Sequence, residues 1–167
     1  LKVCVGGQHG ARDRMQLARI LAMPEDKIDV VTSPIGGGFG GKDELTVQPA
    51  LCLLALKTKR AVRLQLSREQ SVQAGTKRNA FTIRMKTACD EKGNLLAQQV
   101  DAVADGGAYA SLSLGVIETA MEHACGPYLV PNIDARGRLV ATNNSTCGAF
   151  RGFGCNEMTF AVESRIE

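Results

Sequence analysis

Two glycine-rich segments carry the residues best suited to chemistry. The first reads Gly36-Gly37-Gly38-Phe39-Gly40-Gly41-Lys42-Asp43-Glu44, and the second, about one hundred residues later, reads Gly148-Ala149-Phe150-Arg151-Gly152-Phe153-Gly154. A backbone stripped of Cβ atoms lets a bulky polar group approach several N–H donors at once. Gly36, Gly38 and Gly41 satisfy the G-x-G-x-x-G spacing of a dinucleotide-binding turn, and the same residues with Lys42 satisfy all but the last position of a phosphate-binding loop. Asp43 stands where the second pattern needs a hydroxyl on magnesium, and its carboxylate would face a triphosphate with like charge. The first pattern needs an acid about 20 residues on. Its nearest candidate, Glu69, lies beyond that, inside an expected helix. A tight turn alone accounts for one or two glycines, not five around a single aromatic. A pterin or nucleotide, with Phe39 as one wall, accounts for the whole segment.

In this order, the two segments closely resemble those of the large subunit of molybdenum hydroxylases, the xanthine dehydrogenase and aldehyde oxidase family. The residues between and before them agree. Gln8 stands 31 residues before Phe39, Lys77-Arg78 opens an expected strand, and Asp105-Gly106-Gly107-Ala108-Tyr109-Ala110 is similar to the family's D-x-G-A-Y segment. The resemblance covers essentially the whole chain, while the family's large subunit is several times longer. It therefore implies a partial molybdopterin-binding domain over 1–167, an internal fragment of a longer polypeptide.

The resemblance implies molybdopterin with molybdenum, and hydroxylation of an electrophilic carbon with oxygen taken from water. A catalytic glutamate lies outside the chain, and electrons leave through iron-sulfur clusters and often FAD on other domains or subunits. The scattered cysteines here do not have the spacing of a [2Fe-2S] site. Gln8 matches the glutamine that hydrogen-bonds an oxygen ligand of molybdenum, a partner of the metal's ligand rather than a direct ligand. A neutral amide donor suits that role because it leaves the charge of the site unchanged. Gly38, Phe39 and Gly40 match the loop lying over the molybdenum, and Phe150 belongs to the second cofactor loop. Asp43 matches an acidic substrate-positioning residue that is usually glutamate; with Glu44 adjacent, either carboxylate could reach the pocket. Arg151 matches the arginine that holds a substrate oxygen as negative charge builds on it, a catalytic role of preorganised charge stabilisation. After Gly154 the family commonly continues with one residue, Pro, and Gln or Glu. Cys155-Asn156-Glu157 replaces that here.

Plainer roles exist for the same residues. Arg151 taken alone reads as a surface or salt-bridged arginine, His9 as a loop residue, and Asp43-Glu44 as acids favouring the positive end of the next helix. Lys57, Lys59, Arg60 and Arg63 read as a solvated helix end without the interleaved aromatics of a nucleic-acid site.

The functional expectation is a purine-type hydroxylase fragment, inactive in isolation, whose substrate is a small heterocycle or aldehyde. An aldehyde-type relative, a stand-alone nucleotide-phosphate-binding module built on the 36–42 loop, and a relative that has lost its cofactor are the competing readings. No nucleic acid and no membrane is expected as a partner.

These residues need elements to hold them. Apolar periodicity predicts helices over 13–23, 45–57 and 116–124, with Pro49 in the first turn of the second or kinking it. Strands are predicted over 27–33, 61–66, 81–89, 95–104 and 136–143, and Asp90-Glu91-Lys92-Gly93-Asn94 supplies a hairpin turn. Ser67-x-x-Gln70 has the form of a capping box. A last helix follows Gly154. Strand and helix mix irregularly, so the expected class is α+β. Glycines concentrate at Gly6-Gly7, 36–41, Gly106-Gly107 and 148–154, four loops that suit one ligand.

Composition bounds the rest. The 167 residues carry 44% apolar residues and a net charge of +3, which excludes a disordered chain, and the longest apolar run, 50–56, is too short to span a bilayer. Aromatics are only 4%, so packing must rest on Val, Leu, Ile, Ala and Met, with Met85 and Met121 in the core. Six cysteines stand without a CxxC pair, and Cys52 and Cys89 read as buried hydrophobes; this usage suits a reducing, cytoplasmic compartment. The apolar spacing of 161–167 looks like a helix in progress, so both ends read as cuts inside a longer chain.

Overall fold

The computed structural model describes residues 1–167, which divide into two compact units, Leu1–Thr76 and Lys77–Glu167. Helices and strands mix in each, as the α+β expectation required.

In the first unit, β1 (Lys2–Val5) pairs in parallel with β2 (Asp29–Thr32), and helix α1 (Gly10–Leu21) makes the connection between them. Val3, Leu17, Ala18, Ile28 and Cys52 form the core. Leu17 points inward, but Ile20, expected on the same stripe, is exposed. After β2 comes the glycine loop, then α2 (Gln48–Thr58), which begins three residues later than predicted and carries Pro49 in its first turn. Pro is tolerated there because a first-turn N–H has no intrahelical acceptor. The capping box forms as read: the Ser67 hydroxyl accepts from the Gln70 N–H at 3.2 Å, and Gln70 Oε1 accepts from the Ser67 N–H at 2.9 Å, opening α3 (Arg68–Ala74).

The strand expected over 61–66 is absent. Val62, Leu64 and Leu66 keep an alternating, half-buried pattern, but no neighbouring strand pairs with them. Alternation describes a face; a strand also needs a hydrogen-bonding partner.

In the second unit, β3 (Phe81–Cys89) and β4 (Leu95–Asp105) form the predicted antiparallel hairpin. Its turn is held by Asp90 Oδ1, which accepts from the N–H groups of Lys92 at 2.9 Å and Asn94 at 2.8 Å. Helix α4 (Ser113–Glu122) leads to β5 (Ile133–Val140), which pairs in parallel with β4 to give the order β3-β4-β5. Val100, Ala102 and Ala104 from β4, Ile117 and Ala120 from α4, and Met158 and Val162 from α5 (Cys155–Ile166) make the core, with Met85 and Met121 packed against it. Cys89 is exposed, contrary to expectation. A register shift between Ala88 and Cys89 ends the inward alternation at Thr87.

Lys77 and Arg78 stand before β3 rather than opening it, and Lys77 makes an isolated parallel bridge to Cys147. The loop after β4 is stitched to the segment after β5. Asp105 accepts from the Thr142 hydroxyl at 2.7 Å, the Gly107 N–H at 2.8 Å and the Asn144 side-chain amide. The Thr142 hydroxyl first, then the Gly107 N–H and the Asn144 amide, hold the Asp105 carboxyl below its ordinary value. Such a group stabilises the fold above the ordinary carboxylate range, and that stabilisation is lost as pH falls through the depressed folded value. Asp105→Asn is therefore expected to lower the unfolding midpoint at pH 7, with the gap to wild type narrowing below about pH 4. Denaturant titrations at pH 7 and pH 3 measure this; an equal gap at both would refute it.

Candidate functional site

In the first unit the site is built from the end of β1, the start of α1 and the loop after β2. The side chain of Gln8 lies on the glycine loop. Its Oε1 accepts from the Gly40 N–H at 2.9 Å and the Lys42 N–H at 3.3 Å, and its backbone N–H donates to the Lys42 carbonyl at 2.9 Å. Lys42 Nζ donates to the Ile35 carbonyl at 2.9 Å, closing the loop from the other side. Because two N–H donors demand an oxygen, the amide orientation of Gln8 is determined, and its Nε2 is left as a donor with no acceptor in the protein.

The loop backbone explains its composition. Gly36, Gly37 and Gly40 have φ of +60°, +123° and +86°, and Phe39 shares the left-handed region at +52°. A Cβ on Gly38 would lie 2.2 Å from Gln8 Oε1, so any side chain there would expel Gln8. A Cβ on Gly36 would meet nothing within 4 Å. The N–H groups of Gly37 and Gly38 make no hydrogen bond within the protein, and the Phe39 ring stands 63% exposed above the loop. A run of open backbone donors, an aromatic wall and one outward amide fit a large polar cofactor.

The loop does not fit a nucleotide phosphate in the manner of either phosphate motif. Both motifs place their glycines directly at a helix N-terminus, where aligned N–H groups meet the anion. Here residues 42–47 intervene before α2, whose N-cap is Val47.

Of the two candidate acids, Asp43 is 6% exposed. Its Oδ1 meets His9 Nε2 at 2.8 Å and Arg12 Nη2 at 2.6 Å, and Arg12 also donates to its carbonyl at 2.5 Å. Both side-chain contacts fall on Oδ1, which leaves Oδ2 as the remaining acceptor. Glu44 is half-buried, and its Oε2 accepts from the Thr76 hydroxyl at 3.4 Å. Neither acid lies in the first turn of α2, so a simple helix-end role does not account for them.

Sequence reasoning passed over Arg12 and Asp13 and read His9 only as a loop residue, whereas all three gather around Asp43 or beside it. Their spacing of three and four places them on one face at the start of α1, a signal visible in the sequence once α1 is started at Gly10. Asp13 is 1% exposed, and its Oδ2 is buried without a partner against Gly7. Burial pushes its carboxyl up, with Asp43 adding to the rise and Arg12 and His9 opposing it.

In the second unit the 148–154 loop precedes α5. Phe150 is half-buried and Arg151 is exposed. The guanidinium of Arg78 lies over the Phe150 ring, 5.3 Å from its centroid, and Arg78 Nη1 pairs with Glu157 Oε1 at 2.8 Å. The structure thus groups Gln8, Gly38, Phe39, Gly40 and Asp43 within the first unit, and Phe150 and Arg151 within the second.

No helix is long and apolar enough to cross a membrane. Comparison with known proteins agrees with the geometry. The molybdopterin cofactor-binding domain family matches residues 1–167. Over 162 residues the chain is 53% identical to a probable xanthine dehydrogenase subunit of Bacillus subtilis, covering 97% of this chain and 22% of that protein. It is 41% identical over 166 residues to the nicotinate dehydrogenase large molybdopterin subunit of Eubacterium barkeri, covering 99% of this chain and 39% of that one. The aldehyde oxidoreductase from Desulfovibrio gigas has the same fold over 89% of this chain and 16% of its own, with a TM-score of 0.81 and 32% identity. The chain thus spans well under half the length of each of these relatives. A glycine loop clamped on a glutamine that keeps a free amide donor, in a chain that the family matches from first residue to last, makes this a member of the molybdopterin cofactor-binding domains of molybdenum hydroxylases.

Proposed function

We propose that the chain is one stretch of the large subunit of a xanthine dehydrogenase-type hydroxylase acting on hydroxypurines. The full-length parent would pass electrons to iron-sulfur and flavin domains or subunits, in the cytoplasm, and this stretch alone would be inactive. The outward faces of Leu53, Leu54 and Leu56 on α2, each more than 40% exposed, support a larger polypeptide, because apolar surface of this kind is normally covered.

Molybdopterin, when bound, supplies the redox chemistry of hydroxylation with oxygen from water. Gln8 holds the loop through Oε1 and donates toward the cofactor through Nε2. Gly37 and Gly38 offer backbone N–H donors, Phe39 walls the site, and Gly40 acts by fixing Gln8. Asp43, oriented by Arg12 and His9, presents Oδ2 to the substrate, with Glu44 beside it. Arg151 holds a substrate oxygen as charge develops on it, and Phe150 fixes the base of its loop through Arg78.

The observation that carries the cofactor assignment is the Gln8 clamp with its outward amide. The purine assignment rests on Arg151 within Ala149-Phe150-Arg151-Gly152-Phe153-Gly154 and on the 53% identity to a relative named as part of a xanthine dehydrogenase. Steady-state kinetics on the parent with hydroxypurines, nicotinate and aldehydes test it. Hydroxypurines are expected to give the highest kcat/KM; equal or better turnover of nicotinate or aldehydes would reject the purine assignment.

A further inference from the structure

An arginine on an exposed loop orients a substrate only if its own backbone is fixed. The carbonyl of Arg151 is held by two side chains from different parts of the second unit. It accepts from Arg78 Nη2 at 2.7 Å and from Asn156 Nδ2 at 2.9 Å. Both lone pairs of that oxygen are thereby engaged, and because the peptide is planar, holding its carbonyl restrains rotation about the adjacent Cα–C bond and so narrows the directions in which the Arg151 side chain leaves the backbone.

The neighbouring residues are arranged around this contact. Gly152 has φ of +91°, and a Cβ there would lie 2.3 Å from Asn156 Oδ1, so only glycine lets Asn156 reach back. The turn closes with the Phe153 N–H donating to the Phe150 carbonyl at 2.7 Å and the Cys155 N–H to the Gly152 carbonyl at 2.9 Å. Arg78 is itself fixed on two sides, by the Phe150 ring and by Glu157, whose side chain is 14% exposed. Asn156 stands where Pro commonly follows, two residues after Gly154, while Glu157 keeps the acid of the expected pattern.

We propose that Asn156, acting with Arg78, is a positioning residue for Arg151. The proposal rests on the reading of Arg151 as the substrate-holding arginine. Asn156 touches neither substrate nor cofactor; it sets the peptide plane from which Arg151 reaches.

The test uses the full-length parent as wild type, Asn156→Ala, Asn156→Asp, Arg151→Met and the Arg151→Met/Asn156→Ala double variant. Asn156→Asp keeps the shape but removes the donor, which separates the hydrogen bond from packing. Each Asn156 variant is expected to lower kcat/KM for a hydroxypurine about tenfold, the scale of one hydrogen bond, with aldehyde kinetics unchanged. In the Arg151→Met background, Asn156→Ala is expected to cause no further loss. Trypsin cleavage after Arg151 in the native protein is expected to quicken in both Asn156 variants. A full, independent loss from Asn156→Ala in the double variant overturns the proposal, as does unchanged hydroxypurine turnover or unchanged cleavage in the single variants. If Arg151→Met itself leaves hydroxypurine turnover intact, the substrate reading of Arg151 fails and the positioning role falls with it. If Arg151→Met is impaired but the Asn156 variants are not, only the positioning role fails.

Discussion

Arg151→Met in the full-length protein is expected to lower kcat/KM for hydroxypurines by about 10²- to 10³-fold, the loss that follows removal of one preorganised donor at a developing negative charge. Methionine keeps most of the length and apolar bulk of the arginine stem, so the loss reports the guanidinium. Aldehydes have no second oxygen for Arg151 to hold and are expected to lose far less. The main-chain contacts of the loop are retained in this substitution. The main-chain partners of this loop, Arg78 and Asn156 on the Arg151 carbonyl and the Phe153 N–H on the Phe150 carbonyl, do not involve the side chain that is replaced. Equal losses for both substrate classes would place Arg151 outside substrate discrimination.

Gln8 is expected to give the second large effect, about 10- to 100-fold in activity or cofactor retention, the range found when the hydrogen-bonding partners of a metal site's ligands are removed. Its two ends do different things, and two variants separate them. Gln8→Ala removes Oε1, leaving the N–H groups of Gly40 and Lys42 without their acceptor and the loop free of its clamp. Gln8→Glu keeps an acceptor for both but replaces the outward amide donor with a charged carboxylate oxygen. Loop order, followed by amide hydrogen exchange over 36–42, is expected to fall in Gln8→Ala and to persist in Gln8→Glu. Activity is expected to fall in both. Full activity in Gln8→Glu would show that the outward donor is dispensable.

Local features of this fold were legible in the sequence, and long-range ones were not. The 81–104 hairpin and the Ser67 capping box were readable because each is set by residues within a few positions of one another. The strand expected over 61–66 failed because its alternation was real but its partner strand was absent. Cys89 was misread because a register shift at the strand end cannot be seen in a two-residue period. The candidate site divides in the same way. The resemblance pointed to Gln8, 38–40 and Arg151, but the ion cluster of Asp43 with His9 and Arg12 joins residues more than thirty positions apart. Asn156 drew notice in the sequence only as a departure from the expected motif. Its contact with the Arg151 carbonyl gives that departure a physical content.

The central claim is that the loop joining β2 to α2, clamped on Gln8, is part of a molybdopterin site. Molybdenum and pterin content of the purified full-length protein test it most directly, measured on wild type and Gln8→Ala side by side. Molybdenum and pterin in equal amounts in the wild type, with both reduced in the variant, is the expected result. A correctly folded wild-type protein that contains neither, when produced in a host that makes the cofactor, would contradict it.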